Sequence, residues 1–121
     1  MIVGIGTDII EVYRIEKACS SESFLMRYFT LTEREILKKN YQSIASNFAG
    51  KESIAKAFGT GVRGFELNQV EILRDELGKP YVKLYEEAKL LSEKLGVKNI
   101  HISLSNIKEY AIAYVVLEGD D

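Results

Sequence analysis

The chain has 121 residues, 46% hydrophobic and 28% charged, with a formal net charge of −2; these are the proportions of a globular domain large enough to bury a core without staples. A single cysteine, Cys19, excludes an internal disulfide and a thiolate metal cluster, and a single histidine, His101, excludes a zinc site built on paired imidazoles. A metal would have to be held by oxygen, which points to magnesium, calcium or manganese, and the mildly acidic balance offers no basic surface for nucleic acid.

No signal-peptide pattern and no long uncharged apolar run is present, so we expect one cytoplasmic domain spanning residues 1–121. Residues 2–8 read as a strand in which Gly4 and Gly6 allow close backbone approach, with Asp8 near its end. Residues 11–19 read as a short helix with Val12, Ile15 and Cys19 inward and Arg14 and Lys17 outward. Serines at 20, 21 and 23 break it and offer caps for a second short helix through Tyr28. Thr30-x-x-Glu33 and Thr32-x-x-Glu35 are overlapping capping boxes that predict a helix to about Lys39. A central helix follows from near Ser43 and is stopped by Gly59.

The pattern then changes. Residues 67–73 and 80–84 read as strands joined by the turn 75–79, and 85–95 as a helix capped by Gly96. Residues 100–104 and 110–117 are the last two strands. Helices early and hairpins late predict an α+β fold, with helices packed on one face of an antiparallel sheet.

The stretch 48–61 organises the rest. Glu52 and Lys56 stand four residues apart and project from one side of the central helix, while Lys51, Ile54, Ala55 and Phe58 turn inward. Gly59-Thr60-Gly61 leaves backbone that a ligand can approach. A carboxylate, an ammonium and a glycine turn suit a bound metal and phosphate. The same pair also reads as an ordinary surface ion pair of about 0.2–0.5 kcal/mol. Asp8 is the acid to pair with Glu52, because Mg²⁺ takes one or two carboxylates and completes its shell from water and substrate phosphates. Asp8 reads equally as a turn or capping aspartate. His101 reads as a core or interface histidine, and Cys19 as a small core residue. Arg14, Lys17 and Arg27 read as solvated helix residues or, together, as a docking face diluted by Glu11, Glu16 and Glu22.

Four blocks then carry a resemblance: Gly4-Ile5-Gly6-Thr7-Asp8 followed by Arg14; Phe48-x-x-Lys51-Glu52-x-x-x-Lys56-Ala57 into Gly59-Thr60-Gly61; Gly78-Lys79-Pro80-Tyr81; and His101-x-Ser103-x-Ser105 leading to Tyr110-Ala111. In this order and over nearly its whole length, the chain resembles the holo-[acyl-carrier-protein] synthases, the small bacterial type of phosphopantetheinyl transferase. The resemblance implies the 4'-phosphopantetheinyl transferase fold. It also implies transfer of 4'-phosphopantetheine from coenzyme A to a serine of apo-acyl carrier protein, in support of fatty acid biosynthesis, with adenosine 3',5'-bisphosphate leaving. It implies Mg²⁺ (Mn²⁺ being the alternative) on Asp8 and Glu52, with Glu52 and Lys56 catalytic. Coenzyme A contacts are implied for Lys56, Gly59, Thr60, Gly61, Pro80, Ser105 and Asn106. Arg14, Lys17 and Arg27 would dock the carrier, the first of them on the first helix, and the active sites would lie between subunits of a homotrimer. Two positions depart from the family pattern. Asn106 stands where members often carry histidine, and Asn47 where many carry arginine, with Lys39 a substitute cation for the 3'-phosphate. A carrier other than the fatty-acid one, or a binding module without catalysis, are the rival readings.

Overall fold

The structure, a computed structural model, describes residues 1–121. The central helix, α4 (Tyr41–Phe58), is defined by its caps: the Asn40 side chain accepts from the Ser43 N–H, and Gly59 closes the helix in the left-handed conformation at φ 80°. It lies across one face of a three-stranded antiparallel sheet ordered β1 (Ile2–Glu11), β5 (Tyr110–Gly119), β4 (Val97–Asn106). The middle strand turns Ala111, Ala113, Val115 and Leu117 toward the helix, and all four are buried. On β1 the residues level with them are Asp8, Gly6 and Gly4, paired with Ala113, Val115 and Leu117. A Cβ at Gly4 or Gly6 would overlap the Ala57 or Ser53 carbonyl oxygen, so these glycines let the strand lie directly on the helix backbone.

Three short helices precede α4: α1 (Val12–Ala18), α2 (Glu22–Tyr28) and α3 (Leu31–Leu37). With the N-terminal half of α4 they enclose a second core around Ile15, Phe29, Leu37 and Ile44. Of the two overlapping boxes, Thr30 forms the cap: its hydroxyl accepts from the Glu33 N–H, and the Glu33 carboxylate accepts from the Thr30 N–H. After α4 come the hairpin β2 (Val70–Arg74) and β3 (Pro80–Leu84), then α5 (Glu86–Lys94). The expected strand at 67–73 is shorter at its start. Leu67–Gln69 is a 3-10 turn, held because Glu66 and Gln69 cap one another. The strand β1 continues past Asp8 to Glu11, and α4 begins two residues before Ser43, where Asn40 is the better cap. No helix is long and apolar enough to cross a membrane.

A buried charge network joins these parts. The Glu33 carboxylate accepts from four donors: Thr30 N–H, Asn47 Nδ2, Lys51 Nζ at 2.7 Å and Ile72 N–H. Lys51 also donates to the carbonyls of Leu67 and Val70, at either end of the 3-10 turn. Burial lowers the Lys51 pKa, with Glu33 opposing the shift. Both side chains are fully buried, a state that ions tolerate only with partners of this kind.

The other face of the three-stranded sheet is open. Ile5, Ile9, Ile112 and Tyr114 form an apolar patch there, each more than two-fifths exposed. His101 lies on the same face. It is not a core residue: exposed, it pairs with Glu118 Oε1 at 3.0 Å across β4 and β5.

Candidate active site

Because side chains alternate along a strand, the same face that carries Gly4 and Gly6 carries Asp8 next, so the acid is aimed at α4. There it meets Lys56, whose Nζ lies 3.0 Å from Asp8 Oδ1 and 2.9 Å from the Thr7 carbonyl oxygen. The surface ion pair expected between Glu52 and Lys56 is therefore not formed, since Lys56 reaches across to the strand. The Glu52 carboxylate, one turn earlier, accepts no hydrogen bond and faces a cleft of about 630 Å³ lined by Arg27, Tyr28, Phe48, Phe65, Glu66 and Glu87 among others. Burial raises the Glu52 pKa, the negative charge of Asp8 raises it further, and Lys56 pulls the other way.

Two carboxylates with free lone pairs, and no third His, Cys, Asp or Glu close enough to complete a cage, are a poor site for calcium or zinc. They fit a small hard cation that keeps waters and borrows phosphate oxygens. Gly59, Thr60 and Gly61 follow directly at the end of α4, with Gly59 and Gly61 at positive φ, and the Thr60 hydroxyl donates to the Gly61 carbonyl. Asp8, Glu52 and Lys56 are thus neighbours: Asp8 and Lys56 are bonded to one another and both act on the Glu52 charge, and the turn follows at the C-terminal end of the same helix.

Of the remaining sequence candidates, all but Arg27 lie away from the Glu52 cleft. Ser105 pairs with Ile112, which pairs with Ile9, so Ser105 stands on the open face of the sheet, opposite to Asp8. Asn106 points to the helix side but donates to Ser46 Oγ at 3.0 Å, near the other end of α4. Pro80 starts β3 opposite Arg74, at the hairpin turn. Asn47 is fully buried, donating to Glu33 and the Ile72 carbonyl and accepting from Arg74, so it belongs to the core network. Arg14 and Lys17 are exposed on α1, whereas Arg27 belongs to α2 and rests over the Tyr28 ring at 5.2 Å beside the Glu52 cleft. Sequence reading missed the aromatic lining. Phe48, four residues before Glu52 on the same helix face, was findable from spacing; Phe65 and Tyr28 arrive through tertiary packing alone.

Residues 4–115 match the family model of the 4'-phosphopantetheinyl transferase superfamily. The holo-[acyl-carrier-protein] synthase of Lachnoclostridium phytofermentans is 48% identical over 118 residues, covering 98% of this chain and 97% of that protein. Among solved structures, the holo-[acyl-carrier-protein] synthase of Neisseria meningitidis superposes with a TM-score of 0.89 at 35% identity, covering 98% and 99% of the two chains. The Helicobacter pylori enzyme in complex with coenzyme A superposes at 0.84 with 30% identity, covering 94% and 99%. The chain belongs to the 4'-phosphopantetheinyl transferase superfamily and, within it, to the holo-[acyl-carrier-protein] synthases. These enzymes transfer phosphopantetheine from coenzyme A to apo-acyl carrier protein.

Proposed function

We propose that this chain performs that transfer with Glu52 as general base, Lys56 as the phosphate cation, and Mg²⁺ held between Asp8 and Glu52. The observation that carries the reading is the convergence of Asp8, Glu52 and Lys56 where α4 crosses β1, beside the one cleft that Glu52 faces. In the reaction the carrier's serine oxygen forms a bond to the β-phosphorus of coenzyme A. The anhydride bond breaks, and adenosine 3',5'-bisphosphate leaves with the electron pair. Glu52 accepts the serine proton, and its raised pKa brings it nearer the basicity such a step needs, typically worth about 10²–10⁴-fold. Lys56 offsets charge building on the leaving phosphate. The metal, when bound, would neutralise the diphosphate. With no reactive cysteine or second histidine, direct transfer without a covalent enzyme intermediate is the simpler route.

Shared sites explain why the candidates separate. Ser105 cannot reach the Asp8 side of its own sheet, but it lies on the apolar open face that a second copy would cover. A homotrimer buried through Ile5, Ile9, Ile112 and Tyr114 would bring Ser105 and Asn106 of one subunit toward the Glu52 cleft of the next. Arg27 at the cleft, with the exposed Arg14 and Lys17 of α1, would receive an acidic carrier. We place the reaction in the cytoplasm.

The test is release of adenosine 3',5'-bisphosphate from coenzyme A, followed with and without apo-carrier and Mg²⁺. Release that requires both, and falls about 10²–10⁴-fold in Glu52→Gln, supports the reading. Release by Glu52→Gln at the native rate removes Glu52 as the base.

A further inference from the structure

We infer that Lys56 is a place-holder for the divalent cation: its ammonium occupies Asp8 until the coenzyme A diphosphate draws it away, so cation and coenzyme A load together. The inference rests on the proposed reading of Asp8 and Glu52 as metal ligands. Lys56 is anchored twice, to Asp8 Oδ1 and to the Thr7 carbonyl, and the second bond has no use in phosphate binding. In the chain alone it holds the ammonium beside the acid. Asp8 is 19% exposed and Lys56 54%, so the cation is spread over a mostly buried carboxylate from the solvent side.

The Glu52 carboxylate accepts no hydrogen bond within the chain, while Asp8 is engaged at one oxygen. A divalent ion arriving alone must either displace the ammonium or sit beside it. Like charges a few ångströms apart repel strongly in a site of reduced dielectric. The Lys56 stem is flexible and half exposed, and its head is a compact charge with three rotatable donors. A diphosphate gives that head a new acceptor without requiring it to leave the site, and the freed Asp8 oxygen then faces the metal. Coupling of this kind is reciprocal: the cation must raise coenzyme A affinity by the factor by which coenzyme A raises cation affinity.

The test is Mn²⁺ titration, with free Mn²⁺ read by electron paramagnetic resonance, for the native chain, Lys56→Met and Asp8→Asn, each with and without coenzyme A. The native chain binds Mn²⁺ weakly alone and about 5–150-fold more tightly with coenzyme A, the usual range for such coupling. Lys56→Met binds Mn²⁺ alone at least about fivefold more tightly than the native chain, and its gain from coenzyme A shrinks. A Lys56→Met protein with native or weaker Mn²⁺ affinity overturns the inference while leaving the metal ligands standing. Absence of Mn²⁺ binding even with coenzyme A, unchanged in Asp8→Asn, overturns both. As a second measurement, the ¹⁵N signal of the Lys56 ammonium moves when Mg²⁺ and coenzyme A are added together, off a position it also leaves in Asp8→Asn. A signal indifferent to coenzyme A contradicts the hand-over.

Discussion

Gly6 of β1 rests directly against Ser53 of α4, with no room for a Cβ between the strand and the Ser53 carbonyl oxygen. Two residues further along the same strand face, this contact delivers Asp8 to Lys56. Gly6→Ala therefore strains backbone against backbone, which side-chain rearrangement cannot relieve. We expect a cost at the upper end of the overpacking range, about 3 kcal/mol. A lowered urea midpoint with lost transfer activity checks it; native stability would show that the strand can lift off the helix.

Lys51 and Glu33 form the buried pair that ties α3, α4 and the 3-10 turn together. Lys51→Met leaves a buried carboxylate without its cation and should cost about 3–5 kcal/mol. The double variant Lys51→Met/Glu33→Gln should be more stable than Lys51→Met alone, because the orphaned charge is gone. A double-mutant cycle by denaturant unfolding measures the coupling.

Glu52 carries a folded-state pKa above its ordinary value. A carboxyl shifted upward binds its proton more readily in the folded than in the unfolded chain. Its contribution to stability is thus present below the unfolded pKa and is lost as pH rises through the folded one. Without added metal, Glu52→Gln should melt higher than the native chain at neutral pH, and the advantage should vanish in acid below the usual carboxylate range. Thermal scans across pH read this directly. The same variant should lose about 10²–10⁴-fold in turnover.

The open sheet face should control assembly. Ile9→Lys or Ile112→Lys places a charge on the apolar patch without touching the helix side. Light scattering should report a trimer for the native chain and a monomer for the variant, whose circular dichroism stays native and whose activity falls. A fully active monomer would refute a site shared between subunits.

Much of the fold could be read because its signals are local. Gly59 marks the end of α4, and Thr30 with Glu33 announces a helix start, whereas the sequence pattern sets the start of α4 near Ser43 and the helix begins two residues earlier, behind the Asn40 cap. The 3-10 turn at Leu67–Gln69 could not be told from strand, since the reciprocal cap of Glu66 and Gln69 outweighs a short apolar run. The inward turn of Lys51 followed from helical position, but its partner Glu33 is eighteen residues away, and only packing brings the two together. The same holds for Lys56, whose nearer acid in sequence is Glu52 and whose partner in space is Asp8. Asn47 looked like a ligand-binding departure and is instead a core amide, because the acceptor and donor that define it arrive from α3 and β2.

The most direct test of the central claim is the intact mass of apo-acyl carrier protein after incubation with the chain, coenzyme A and Mg²⁺. Parallel samples would contain a chelator or the Asp8→Ala protein. We predict a gain of one phosphopantetheine on the native sample and none on either control. An unmodified carrier in the native sample, with coenzyme A bound to the chain, would contradict the account and leave a binding module in its place.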